Sequence, residues 1–314
     1  MPTLTDSIDL IRRKRRFVRE EPEPFQLTNR DIALIRHVAG HRFVRSTHLS
    51  ALCEAPHNKV CRRLAHLFHA GYLDRPRVQF EAYRDGGGSE AMVYALGNRG
   101  AKLLTEHGID AGVDWKRKND IAGRHFIQHT LAISDVRVAL EQAIRQRPGF
   151  ELLSDEFLLQ RAPEETRRRE RPWMLRPRVH YRDTVHNLSV EADHVFAIGY
   201  PDRHFRAFLV ECDRGTMPVD RASLAQTSLK RKFLAYSAAR RALLHERQFG
   251  WKAFRVLIVT TNVQRVATIL DTIGKCVPEH ERALFLIGDR VSLAGADILS
   301  HAWRDGYGRT LALI

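Results

Sequence analysis

The sequence predicts an α/β protein, α+β overall, in which a small helical unit with a β-hairpin precedes a larger unit built on a mixed sheet. Three observations predict it. Between residues 27 and 104 apolar residues recur at helical spacing in short segments and then switch to strand-like pieces. From Phe150 onward strand-like apolar runs alternate with helical ones, ending in a strand, helix and strand over 254–287. Lys and Arg number 51 against 37 Asp and Glu, a formal net charge of +14, so some surface is built to meet a polyanion.

Composition excludes several classes. A chain of 314 residues, 44% hydrophobic, can bury a sizeable core and has room for two domains. No apolar run approaches the roughly 20 residues needed to cross a bilayer, and the N-terminus lacks the apolar core and cleavage site of a secretory signal. The four cysteines, Cys53, Cys61, Cys212 and Cys276, show no Cys-x-x-Cys pairing, which argues against a zinc module or a disulfide framework. The expected compartment is the cytoplasm, and the expected partner is double-stranded DNA rather than a membrane.

Residues 1–26 form a charged leader containing Arg12-Arg13-Lys14-Arg15-Arg16, closed by Pro22 and Pro24. The first domain spans 27–112. Thr28 is the expected cap of a helix whose apolar face is Ile32, Leu34, Ile35 and Val38, and Gly40 ends it. A short second helix passes through Leu49 and Leu52. A third runs from His57 to His69, with Val60, Leu64, Leu67 and Phe68 facing inward and Asn58, Lys59, Arg62, Arg63 and His66 facing out. Strand-like pieces at Val78 to Tyr83 and Met92 to Leu96 flank a Gly-rich tip at Gly86–Gly88. That order is the order of a winged helix-turn-helix, with the third helix in the major groove and Lys59, Arg62 and Arg63 reaching phosphates or base edges. A helix from Asn98 closes the domain, and a polar linker around Trp115 leads to the second domain, 120–314.

The second domain opens on a long helix, His125 to Arg145. His125 and His129 lie four apart on one face, but Phe126 stands where a metalloprotease helix has Glu, so packing is the simpler role for both. Phe150 to Gln160 is expected to be a strand. A basic loop follows, with Arg167, Arg168 and Arg169 and, within it, Trp173; arginines beside an aromatic suit a nucleic-acid backbone and a stacked base, and a solvated loop is the alternative. Val179 to Val185 is a further strand.

The segment Ser189–Tyr236 carries the candidate chemistry. Two buried strands, Ser189 to Ile198 and Phe208 to Asp213, are joined by a turn at Gly199–Asp202, and a helix with Lys230, Lys232 and Tyr236 follows. If the strands pair as a hairpin, the period of two places Glu211 and Asp213 on one face beside Asp193. Three converging carboxylates would repel one another, and a Mg²⁺ or Mn²⁺ ion on Asp193 and Glu211 would compensate them. The alternative is ion pairing of Glu211 and Asp213 with Arg214 or Arg206. The layout resembles the PD-(D/E)xK nuclease core, with one departure: Asp213 occupies the position where that pattern has Lys. Lys230 or Lys232 would have to supply the cation, making Asp193, Glu211, Asp213 and Lys232 the candidate catalytic set.

Further residues carry a second resemblance. Arg62-Arg63-Leu64, Ala70-Gly71-Tyr72-Leu73, Tyr94-Ala95-Leu96, His129-Thr130-Leu131, Asp135-Val136-Arg137, Asp193, Glu211-Cys212-Asp213-Arg214-Gly215-Thr216, Lys232 and Tyr236 look like the replication-relaxation family. That resemblance implies a winged helix joined to a restriction-endonuclease-like domain, and a role in plasmid or mobile-element replication, relaxation or mobilisation. A relaxase or a replication initiator is the implied partner, and a homodimer a candidate assembly. The family's Pro-Asp appears here as Ala192-Asp193.

Three functions remain open at this point: a DNA-docking protein, a Mg²⁺- or Mn²⁺-dependent nickase or endonuclease, and a transcriptional regulator with an inactive nuclease-like domain. A relaxase of the His-hydrophobic-His type and a nucleotide-driven helicase lack their motifs here.

Overall fold

In the computed structural model, which describes residues 16–22, 24–81 and 91–314, the first helix starts where its cap is. Thr28 accepts from the Asp31 backbone while the Asp31 carboxylate takes the Thr28 backbone N–H at 2.7 Å, a reciprocal box that launches α1 (Asn29–His41). Strand β1 (Val44–Arg45), α2 (Ser46–Leu52) and α3 (His57–His69) follow. The turn between α2 and α3 is tied by Ser50, whose hydroxyl donates to the Ala55 carbonyl at 2.5 Å. Gly71, at φ +82°, ends the helix in a conformation open to glycine.

Strand β3 (Val93–Leu96) is the middle of a three-stranded antiparallel sheet, between β1 and β2 (Leu73–Asp74). Here the structure corrects the expected hairpin. Its expected first strand is a 3-10 turn over Arg77–Glu81, and Ala82 and Tyr83 lie outside the described residues. Its Gln79 amide imitates a strand, donating to the Val93 carbonyl at 3.0 Å and accepting from the Val93 N–H at 2.8 Å. A side-chain amide can satisfy both backbone groups of one residue, so no extended backbone is needed there. The Gly86–Gly88 tip lies outside the described residues. Leu34, Ile35, Val38, Leu64, Leu67, Phe68 and Leu104 of α1, α3 and α4 (Asn98–Glu106) meet in one buried cluster with Val44, Leu73 and Leu96 of the sheet.

The polar stretch after α4 holds α5 (Trp115–Asp120), and α6 (Arg124–Arg145) follows; the chain divides into two compact units between Val138 and Ala139, within α6. The second unit is built on a seven-stranded mixed sheet in the order β12-β11-β10-β9-β8-β7-β4. Its strands are β4 (Glu151–Ser154), β7 (His194–Gly199), β8 (Phe205–Cys212), β9 (Phe254–Thr260), β10 (Phe285–Asp289), β11 (Trp303–Asp305) and β12 (Thr310–Leu311). β7 and β8 form the expected antiparallel hairpin, with His194 opposite Val210. β8, β9 and β10 run parallel. The crossovers are α9 (Leu229–Arg241) with α10 (Leu244–Phe249), and then α11 (Val263–Cys276). Parallel neighbours need such helical crossovers, which cover the sheet and leave its strands apolar on both faces.

Two strand expectations end early. Only 151–154 of the run 150–160 is extended, because Ser154 caps a helix, α7 (Asp155–Gln160), accepting from the Phe157 N–H at 3.2 Å. Val179 to Val185 folds back on itself as β5 (Arg178–Tyr181) and β6 (Thr184–Asn187) around Arg182 at φ +53°. One face of the large sheet packs Val195, Leu209, Val256, Ile258, Phe285 and Ile287 against Phe233, Ala235, Ile269 and Ile273 of α9 and α11. No helix of the described residues is long and apolar enough to cross a membrane.

Candidate functional site

Glu211 stands near the end of β8 on the helix-covered face and is 3% exposed. An isolated carboxylate so placed would be strongly destabilising. Two side chains of α9, one helical turn apart, answer it. The Lys232 ammonium pairs with Oε2, and the Tyr236 hydroxyl donates to Oε1 at 2.5 Å. The helix is set in place by Ser228, whose hydroxyl accepts from the Arg231 N–H at 3.2 Å. Lys232 and Tyr236 share one helix face because their spacing is four. Burial pushes the Glu211 carboxyl up to about 7, with Lys232 opposing that rise and the Asp193 charge adding to it. Burial also acts to lower the Lys232 ammonium, but attraction to Glu211 and Asp193 outweighs it and the net direction is upward. The Tyr236 hydroxyl, fully enclosed beside a carboxylate, is held well above its ordinary range.

Asp193 precedes β7 and lies beside the end of β8, where its Oδ2 accepts from the Cys212 N–H at 2.8 Å. Asp213 continues the line of Glu211, its N–H bonded to the Val259 carbonyl at 2.9 Å. The two carboxylates are nevertheless served separately, because residues i and i+2 of a strand are about 6.6 Å apart. Asp213 belongs to a second pair. Arg265 of α11 donates to it from Nε at 2.6 Å and from Nη2 at 3.0 Å, and Thr260 Oγ1 adds a bond at 2.6 Å. Burial works to raise this carboxyl, but the bonds from Arg265, Thr260 and Gly215 bring it below the ordinary carboxylate range.

The three acids therefore do not meet at one point, and no metal-ligand group of three among the described residues is formed from them. In this arrangement the carboxylate oxygens are held by groups of the chain itself. Both Glu211 oxygens are engaged, one Asp193 oxygen holds a backbone N–H, and Asp213 is taken by Arg265. Compensating charge comes from Lys232 at Glu211 and from Arg265 at Asp213. Lys230, the other candidate lysine, is buried and bonded to Asp220 at 2.7 Å. Arg265 and Thr260 escaped sequence reasoning; they sit 52 and 47 positions from Asp213, and only the parallel pairing of β8 with β9 brings them in.

The basic residues separate in the same way. Asn58, Lys59 and Arg62 are exposed along α3. Arg63 is turned inward: it forms a fork with the fully buried Asp31, Nη2 to Oδ2 at 2.5 Å, and also bonds the Gln26 carbonyl at 2.7 Å. It closes α3 onto the start of α1. Arg167, Arg168 and Arg169 are exposed, Arg167 ending the short α8 (Glu164–Arg167) and Arg168 paired with Glu164. Trp173 is not a free stacking platform. It packs on Phe249 and Trp251 with ring centroids 5.2 and 5.6 Å away.

Fold and site together define a mixed α/β protein in which a Lys–Glu–Tyr centre and an Arg–Asp pair bridge a sheet to its crossover helices. The replication-relaxation family model matches residues 35–251, and the chain belongs to that family. The match takes in Lys59, Arg62, Asp193, Glu211, Lys232 and Tyr236 but stops before Thr260 and Arg265. Comparison with curated proteins and with solved structures found no match. Membership places the chain broadly in replication and relaxation.

Proposed function

We propose that this chain is a DNA-binding protein of plasmid or mobile-element replication, relaxation or mobilisation, docking on duplex DNA through a winged helix-turn-helix. One observation carries the reading: α3 follows a short helix and a tight turn, and presents Asn58, Lys59 and Arg62 to solvent on a helix whose other face is buried. A helix placed so can enter a major groove, with Lys and Arg on phosphates or base edges. The net charge of +14 supports a polyanionic partner. Three helices backed by a three-stranded antiparallel sheet fit the same module. In this reading a relaxase or an initiator acts beside the protein, and the Glu211 centre sustains a nuclease-like sheet. The test is duplex binding by fluorescence anisotropy with K59E/R62E. A loss of at least tenfold is expected; unchanged affinity refutes docking by α3.

A second reading, a metal-dependent nickase, is favoured by one feature: Lys232 of α9 reaches Glu211, as a relocated nuclease lysine would. Its test is supercoiled plasmid incubated with Mg²⁺ or Mn²⁺. Open circles formed by the wild type and not by Glu211→Gln would establish cleavage. A duplex shift with no open circles from either protein supports the docking reading.

A further inference from the structure

A different cluster stands at the opposite end of β8 from Glu211. Arg206 on β8 and Arg255 on β9 lie on one face of the sheet, since Phe208 is opposite Arg255 and strand residues two apart share a face. Adjacent strands are about 4.8 Å apart, so the two side chains start as diagonal neighbours. Arg240, near the end of α9, donates to the carbonyl of Phe254, the residue next to Arg255, at 3.1 Å. Arg206 and Arg255 thus share one face at this strand end, while α9 packs on the other.

Among the described residues no carboxylate forms an ion pair with Arg206 or Arg255. Arg255 is half-buried and makes no hydrogen bond or ion pair with any described residue. Arg206 lies 4.9 Å over the Tyr200 ring and reaches the Leu313 carbonyl at 3.4 Å, but has no carboxylate. The acids in the neighbourhood are spent elsewhere: Asp305 holds Arg309 at 2.8 Å, and Asp202 pairs with His204. Burial and then the charge of Arg206 hold the Arg255 guanidinium below its ordinary range, while Asp305 partly offsets them. A half-buried arginine facing cations is costly unless an anion joins it.

We propose that Arg206 and Arg255 form a binding site for a phosphate oxyanion beside Tyr200. Guanidinium forks match phosphate geometry, and the Tyr200 hydroxyl, bonded to the Leu313 carbonyl at 2.9 Å, orients the ring beneath Arg206. The site belongs to the second unit, and the proposal does not rest on the reading of α3. Arg255 also lies beyond the segment that the family model matches.

The experiment is thermal unfolding of the full chain in potassium phosphate and in potassium chloride at equal ionic strength, with wild type, Arg255→Gln and Arg206→Gln. Wild type should show a saturable rise in Tm specific to phosphate. Arg255→Gln should lose that rise while melting above wild type in chloride, because a repelled cation has been removed. An arginine with a purely structural role would instead lower the Tm in chloride. Arg206→Gln should lose the phosphate response as well, which keeps the test valid if one variant folds poorly. Equal phosphate response in all three proteins, or none in wild type, overturns the site. Titration with a duplex then separates the sources of phosphate. If the ligand is a DNA phosphate, Arg255→Gln weakens duplex binding several-fold and lowers the slope of log affinity against log salt by about 1. If it is free phosphate, duplex affinity stays at the wild-type value.

Discussion

Replacing Glu211 with Gln should remove a pH dependence that the buried carboxylate imposes on the second unit. The folded-state value is raised to about 7 from an ordinary 4.5. Between those values the folded protein holds a proton that the unfolded chain has released, so Glu211 makes stability fall as pH rises. At about 1.36 kcal/mol per pKa unit, integrating from pH 5 to pH 8 gives a loss of about 2.5 kcal/mol for this group. The Lys232 shift is upward from a value already above 10, so its contribution is constant across that window. Gln keeps the shape and can still accept from Tyr236, but it does not titrate. Urea denaturation of wild type and Glu211→Gln, followed by Trp fluorescence at pH 5, 6, 7 and 8, measures the difference. Trp173, Trp251 and Trp303 all belong to the second unit, so the signal reports mainly on the sheet that contains Glu211. The stability of wild type relative to the variant should decline by about 2.5 kcal/mol over the series. A difference that stays constant from pH 5 to pH 8 would mean that Glu211 is not raised by burial, and the account of the centre would fail.

Other outcomes follow from the same contacts. Arg63→Ala leaves the fully buried Asp31 without its fork, so it should destabilise the first unit by about 3 kcal/mol, seen as a lower Tm by circular dichroism. By contrast, Arg62→Ala should leave the Tm within a degree or two and weaken duplex binding. Asp213→Asn gives up the charge facing Arg265 and should cost roughly 2–3 kcal/mol by urea denaturation. Thr28→Ala removes the cap of α1 at a cost of about 1 kcal/mol, readable as a small drop in Tm.

Local signals determined much of this protein. The α3 span His57–His69, the Thr28 cap, the β7–β8 hairpin and the β9–α11–β10 crossover were all legible, because caps, glycines and apolar periods act over a few residues. The juxtaposition of Lys232 and Tyr236 with Glu211 was partly legible, since one strand leads into one helix and the spacing of four puts both side chains on a single face.

Tertiary structure alone decided how the charges are paid out. Arg63 and Arg62 are neighbours on the same basic helix, yet only Arg63 faces a buried Asp31, 32 residues away. Asp213 is two residues from Glu211 but is claimed by Arg265, which arrives from another crossover helix. Trp173 sits in an arginine-rich loop and packs into a core. Gln79 takes the place of a strand with a single amide. The physical reason is common to these cases. Composition and period say that a side chain is polar or apolar and on which face of its own element it lies. Which partner a buried charge or amide finds is set by distances between elements far apart in the chain, and the cost of leaving such a group unpaired makes that choice decisive.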